Sequence, residues 1–108
     1  MCRQIPAEFL LANYFRRYPQ KPITYAHLRK LRSELEAAIQ DLVFVDISGS
    51  SVLSAVEQYP EMFEWDGSAV RMTEGSEEFF SEDYIDSRFN SEVDKSIRQT
   101  ALRVLRVQ

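Results

Sequence analysis

The 108-residue sequence has one cysteine and one histidine, and no apolar run approaches the roughly 20 residues needed to cross a bilayer. A single Cys2 excludes an internal disulfide and any zinc cluster built from several cysteines. The first residues also lack a basic region followed by a long apolar block, so we expect no secretory signal. These absences favour a cytoplasmic or nuclear protein that does not bind a membrane.

Residue patterns typical of catalysis or cofactor binding are absent as well. His27 stands alone, and the sequence has no glycine-rich phosphate loop and no serine, histidine and acid in a hydrolase order. The acids near Ser76 and Ser81 lie in a connecting segment, whereas general acid–base catalysis needs carboxyl groups fixed in a pocket. We therefore expect neither an enzyme nor a cofactor or metal site.

The net charge of -4 hides a strong segregation of charge along the chain. Residues 1–40 carry a net +4, residues 41–86 a net -11 and residues 87–108 a net +3. Such segregation is typical of a fold that turns a basic face to a polyanion and an acidic face elsewhere. The alternative is that these charges only solvate the surface.

Apolar spacing and cap residues predict helices in the first half of the chain. Helix one is expected over residues 6–18, where Pro6 suits the first turn and two later prolines end the helix. A very short extended segment follows, and Thr24 then caps a second amphipathic helix over residues 25–40.

A short strand and a third helix are predicted next. The block "LVFVDI", Leu42 to Ile47, is rich in β-branched and aromatic residues and favours a strand. Ser50 or Ser51 then caps a helix that Pro60 ends. Four side chains of this helix are expected to face inward: Val52, Leu53, Val56 and Tyr59.

A β-hairpin follows, reversed at Asp66 and Gly67 by a two-residue primed turn that needs positive φ angles. This turn pairs Trp65 with Ser68, Phe63 with Val70, and Glu61 with Met72. Alternation then places an apolar set on one face, namely Phe63, Trp65, Val70 and Met72. The other face is mostly polar and consists of Met62, Glu64, Ala69, Arg71 and Thr73.

The last third returns to helix after an acidic connection. Residues 74–83 are expected to be a mobile segment anchored by Phe79 or Phe80. A final helix is predicted over residues 91–106, with Ser81 and Ser91 as candidate caps and with room for a shorter helix before it.

The stretch "SSVLSAVEQYPEMFEWDGSAVRM" resembles the LOTUS (OST-HTH) domains and the related amino-terminal domain of the Egalitarian family of RNA-cargo adaptors. The resemblance spans about residues 7–73. It implies an α+β, mainly helical, winged helix-turn-helix: one domain over 1–108, with a core at 6–73, a two-stranded wing and a C-terminal helical extension at 81–106. It further implies a protein-binding or RNA-binding module of RNA-regulatory proteins, in which a C-terminal helix can grip a helicase partner.

A basic cluster is the candidate nucleic-acid surface: Arg16, Arg17, Lys21, Arg29, Lys30 and Arg32. Cations there supply a salt-dependent attraction to phosphates, and neighbouring aromatic rings can stack on unpaired bases. The alternative is that Arg29 and Arg32 only pair with Ser33 and Glu36 along their own helix. The third helix carries no cation, which disfavours duplex DNA as a ligand.

The candidate protein interface consists of Trp65 and Arg71 on the hairpin and of Leu102 and Leu105 on the last helix. A partly solvent-exposed aromatic side chain is a common anchor of protein interfaces. The alternative for Trp65 is that it packs on the hydrophobic core and closes it. We expect a non-catalytic interaction module that binds a protein partner in an RNA-regulatory complex, with RNA binding as the alternative. A homodimer through an apolar strip is a further candidate.

Overall fold

Helix α1 (Ala7–Arg17) lies at the centre of an α+β fold that is mainly helical. In the computed structural model, which describes residues 4–39 and 44–107, every side chain from Phe9 to Phe15 is buried. Other helices therefore pack around α1 on several sides. Pro6 precedes the helix in an extended conformation, as its N-cap residue.

Helix α2 (Tyr25–Ala38) begins where the sequence predicts it. The Thr24 hydroxyl accepts a hydrogen bond from the backbone N–H of His27 at 3.1 Å, which confirms the predicted cap. Leu28, Leu31 and Leu35 form its buried stripe. The helix ends at Ala38, two residues before the predicted end.

Helix α3 (Gly49–Gln58) is capped by Ser48, so the prediction of Ser50 or Ser51 is wrong. The Ser48 hydroxyl accepts from the Ser51 N–H, and the Ser51 hydroxyl accepts from the Ser48 N–H. This reciprocal capping box starts the helix earlier than a single serine cap suggests.

Three short strands form an antiparallel sheet in the order β2 (Ile23–Thr24), β5 (Ala69–Met72), β4 (Phe63–Trp65). The predicted extended segment before α2 is therefore a strand that pairs with the hairpin. Ile23 lies opposite Val70, so a segment of only two residues ties α2 to the hairpin.

The hairpin exists, but its predicted register is wrong by two residues. Trp65 pairs with Val70 and Phe63 with Met72, and the connection between the two strands has three residues, 66–68. Gly67 has a positive φ of 99° and Asp66 does not, so no primed turn forms. A shift of two residues preserves the predicted faces, because side chains alternate with period two. Met62, assigned to the mostly polar side, is buried.

A second, parallel pairing joins β1 (Gln4–Ile5) to β3 (Phe44–Val45). Of the strand predicted over residues 42–47, Phe44 and Val45 form a strand. Leu42 and Val43 lie outside the described residues. Cys2 also lies outside them. The sequence did not predict that the start of the chain supplies the partner strand.

The C-terminal third is more regular than predicted. It consists of a 3₁₀-helix at Glu77–Phe80, α4 at Glu82–Arg88, a second 3₁₀-helix at Asn90–Glu92 and α5 at Lys95–Arg106. Ser81 caps α4 as predicted. Asp94 caps α5, so the predicted start at residue 91 with Ser91 as cap is wrong.

Aromatic rings connect these elements in one hydrophobic core. The ring centroids of Phe15, Phe63 and Phe80 lie 6.0–6.2 Å apart, which confirms Phe80 as an anchor of the acidic segment. Ile97, Ala101 and Leu105 of α5 join the same core. Within the described part of the chain, no helix combines the length and the apolar character required to cross a membrane.

Candidate functional site

An open apolar groove of about 260 Å³ lies between the start of α2, the side of α3 and the tip of the hairpin. Its lining residues are Tyr25, Gly49, Val52, Leu53, Trp65, Gly67 and Ser68. The groove forms because β2 holds the start of α2 against the hairpin while α3 packs on α1 beside them. We call this surface the Trp65 groove.

The orientation predicted for Leu53 is wrong. The side chain was expected to face inward, but it is 43% exposed, since Val52 and Ala55 occupy the buried side of α3. Phe44 and Val107 are the other large exposed hydrophobic residues in the described chain, and neither lines the groove. Leu53 therefore presents apolar surface where the fold also provides a concavity.

Trp65 is half-buried and packs partly on the hydrophobic core while bordering the groove. Both expectations for this residue thus describe a part of its environment. Its position is fixed by its pairing with Val70, which is fully buried in the central strand of the sheet. The indole forms one wall of the groove.

Asp66 braces the hairpin tip beside Trp65. Its Oδ1 accepts hydrogen bonds from the backbone N–H groups of Ser68 at 3.0 Å and Ala69 at 2.8 Å. These backbone hydrogen bonds, with the nearby Arg71 as a smaller contribution, hold the pKa of Asp66 below its usual value. The folded turn therefore favours the ionised form of Asp66.

The other predicted interface residues have different environments. Arg71 is exposed and its Nη1 lies 3.8 Å from Asp66 Oδ2. Leu102 is half-buried. Leu105 is only 2% exposed, which corrects the expectation that it faces a partner, because it packs in the core with α1.

The cations of the predicted basic cluster have different neighbours in the fold. Arg32 is held by its own surroundings: its Nε lies 3.0 Å from Glu36 Oε1, and its Nη1 donates to the Ile47 carbonyl at 3.4 Å. The pairing of Arg32 with Glu36 along its own helix is therefore present. The Ser33 hydroxyl donates to the backbone carbonyl of Arg29 at 3.4 Å, so the exposed Arg29 guanidinium takes no part in that hydrogen bond.

The remaining cations of the cluster have other neighbours. Lys30 follows Arg29 directly and points about 100° away around the helix. Lys21 Nζ lies 5.4 Å from the centre of the Tyr18 ring, a cation–π distance. Arg16 and Arg17 are at the end of α1 and border a different cleft.

This cleft of about 210 Å³ lies between the ends of α1 and α5. Its lining residues are Asn13, Arg16, Arg17, Leu102, Leu105 and Arg106. We call it the arginine cleft. The sequence analysis missed Arg106, although Lys95–Arg106 contains four basic residues and no acidic one.

Helix α3 presents no basic side chain. Ser54, Glu57 and Gln58 are exposed, whereas the half-buried Ser51 is occupied in the capping box.

Comparison with known proteins gives no match, neither to a family model nor to a curated protein nor to a solved structure. The two surfaces therefore have to be interpreted from their own chemistry.

Proposed function

We propose that this protein is a winged-helix interaction module of the LOTUS type that binds a protein partner of an RNA-regulatory complex. The Trp65 groove is the binding surface. The exposed Leu53 beside the half-buried Trp65 is the observation that carries this proposal. The RNA-regulatory setting rests on the sequence resemblance alone.

The order of elements supports the winged-helix part of the proposal. Helices α1, α2 and α3 are followed at once by the β4–β5 hairpin, and β2 adds a third strand to its β5 edge. In this interpretation the hairpin is the wing and α5 is an addition that packs against α1 and α2.

The chemistry of the groove supports a protein ligand. Three large side chains, Tyr25, Leu53 and Trp65, meet in one concavity, and burial of a single leucine or similar side chain contributes about 1.5–3 kcal/mol. Aromatic residues at the centre of a patch are typical hot spots of protein interfaces. An apolar side chain of the partner fits this environment better than a phosphate does.

The sequence provides a built-in reporter, because Trp65 is the only tryptophan. Peptides selected from a random library on the immobilised protein can be titrated while tryptophan emission is followed. We expect occupation of the groove to shift the emission to shorter wavelength as the indole loses water. We also expect Leu53→Ala to weaken these peptides about tenfold, equivalent to about 1.4 kcal/mol.

Val107→Ala is the matched control. Val107 is 79% exposed and lies outside the groove, so its truncation also removes exposed apolar surface but should leave the affinity unchanged. The proposal is wrong if Leu53→Ala binds the selected peptides as tightly as the wild-type protein, or if their binding leaves the emission unchanged.

The RNA-regulatory setting needs a separate test in cells. Proximity labelling with the wild-type protein and with both variants should enrich RNA-binding proteins in the wild-type and Val107→Ala samples. The enrichment should be lost with Leu53→Ala. A labelled set without RNA-binding proteins would contradict this part of the proposal and leave the groove experiment unaffected.

A further inference from the structure

We propose that the arginine cleft binds the phosphodiester backbone of single-stranded nucleic acid, as a second surface that does not depend on the function of the Trp65 groove. Arg16 and Arg17 come from the last turn of α1, and Arg106 from the last turn of α5. The Tyr18 hydroxyl donates to the Arg106 carbonyl at 2.9 Å and fixes the two helix ends against each other.

The guanidinium groups of the cleft are available to an anion. Within the described chain, Arg17 and Arg106 are exposed and have no carboxylate at ion-pair distance. Arg16 Nη2 lies 3.7 Å from Glu82 Oε1, but the Glu82 side chain is 73% exposed. An exposed pair of this kind contributes little, so a phosphate can displace the glutamate.

The exposed side of α5 extends the cleft into a basic row. Lys95, Gln99, Arg103 and Arg106 are all exposed and are spaced four, four and three residues apart, which places them on one face of the helix. The row is about 16 Å long at 1.5 Å per residue. Cations distributed along a line suit a backbone with repeated charges.

Helix stability alone does not explain this row. Basic residues in the last turn stabilise the negative end of the helix macrodipole, which accounts for Arg103 and Arg106. Lys95 is in the first turn, where a cation is unfavourable for the same reason. A ligand that needs cations along the whole face accounts for both ends.

A nucleic acid suits this surface better than an acidic polypeptide does. Leu105 is buried and Leu102 is half-buried, and three arginines line the cleft, whereas no charged residue lines the Trp65 groove. Protein interfaces depend on buried apolar anchors, whereas non-specific nucleic-acid binding depends on phosphate contacts. Arginine also matches phosphate with two parallel hydrogen bonds.

The test uses fluorescence anisotropy of a labelled oligouridine with the whole chain at about 50 mM and about 200 mM salt. One phosphate contact from each of the four arginines in the cleft and the basic row predicts a slope of about -2.8 for log affinity against log salt, and hence about 50-fold weaker binding at the higher salt. Arg17→Gln/Arg106→Gln should reduce the slope to about -1.4 and weaken low-salt binding about tenfold or more.

Arg29→Gln/Lys30→Gln is the matched control, because it removes the same charge from exposed positions outside the cleft. It should change the affinity less than about threefold. Arg103→Gln is a second test variant on α5, and it should reduce the slope by about 0.7. Thermal unfolding of each variant confirms that the fold is retained.

Three results would overturn the proposal. One is the absence of binding at low salt, and another is an equal loss of affinity in the control variant, which would indicate only a diffuse charge effect. The third is competition by polyglutamate as effective as that by unlabelled oligouridine. Neither these results nor the expected ones depend on Leu53, so the groove proposal is tested separately.

Discussion

The buried hydroxyl of Tyr14 leads us to expect that Tyr14→Phe, in the centre of the core, stabilises the protein. Tyr14 is 0% exposed, and in the described chain its hydroxyl has no hydrogen-bond partner. Its ring packs at 5.3 Å from the rings of Phe15 and Tyr18 and at 6.0 Å from that of His27. Tyr14→Phe keeps this ring packing and removes only the oxygen.

The expected gain follows from the cost of an unpaired buried polar group, about 1–3 kcal/mol. Part of that gain is lost because the hydroxyl also makes van der Waals contacts, so we expect Tyr14→Phe to raise the free energy of unfolding by about 1 kcal/mol. For a domain near this size the melting temperature should rise by about 4–8 °C. Urea unfolding at neutral pH measures the effect directly.

The pH dependence gives a second readout of the same site. Burial, and secondly the neighbouring Tyr18, raise the pKa of Tyr14 above its ordinary value of 10.0. The unfolded chain therefore loses this proton first, and the folded state loses stability as the pH rises above about 10. Tyr14→Phe should remove that alkaline decline and leave the stability below it independent of this group.

Tyr18→Phe is the matched control with the opposite expectation. Its hydroxyl donates to the Arg106 carbonyl, so its removal should destabilise the protein by about 1 kcal/mol or less. A Tyr14→Phe variant that is destabilised by more than about 1 kcal/mol would refute the reasoning. Such a loss would mean that the Tyr14 hydroxyl makes a hydrogen bond in the folded protein, contrary to the structure.

Three further predictions test the structure. Asn90→Ala should lower the free energy of unfolding by about 1–3 kcal/mol in urea titrations, because its Oδ1 accepts from Asn13 Nδ2 at 2.9 Å in the core. Ser48→Ala should cost about 1 kcal/mol and Ser50→Ala much less, a comparison that distinguishes the observed cap from the predicted one. Asp66 should titrate by NMR below its ordinary value of 3.8, so its stabilisation is present above that pH and is lost as pH falls through the lowered pKa. Asp66→Asn keeps an acceptor oxygen and should lose this acid-dependent step.

Local chemistry explains why part of the fold could be read from the sequence. Thr24 caps α2 because its hydroxyl reaches an amide three residues on, and this depends on no distant part of the chain. The hairpin faces were predicted correctly because alternation survives a shift of two residues. The register itself was not, because the Asp66 side chain accepts hydrogen bonds from the N–H groups of Ser68 and Ala69 and so stabilises a longer turn than the predicted two-residue one.

Features that depend on distant residues could not be read. The partner strand of Phe44–Val45 is Gln4–Ile5, about 40 positions away, and nothing local specifies that pairing. Leu53 is exposed because α1 packs on the neighbouring side of α3, a choice that helical spacing leaves open.

The candidate surfaces follow the same rule. The predicted basic cluster treated nearby positions in the sequence as neighbours in space. Arg32 instead pairs with Glu36 on its own helix, and Arg106, from the other end of the chain, lines the same cleft as Arg17. In the sequence, only the net charge of +3 over residues 87–108 indicated that the end of the chain contributes to a basic surface.

The most direct test of the central claim is chemical-shift mapping of the ¹⁵N-labelled protein with a peptide selected on it. If the Trp65 groove binds the partner, the largest changes should occur at the Trp65 indole N–H and at the amides of Leu53 and Tyr25. Changes confined to α5 and the end of α1, with the indole signal unmoved, would contradict the account.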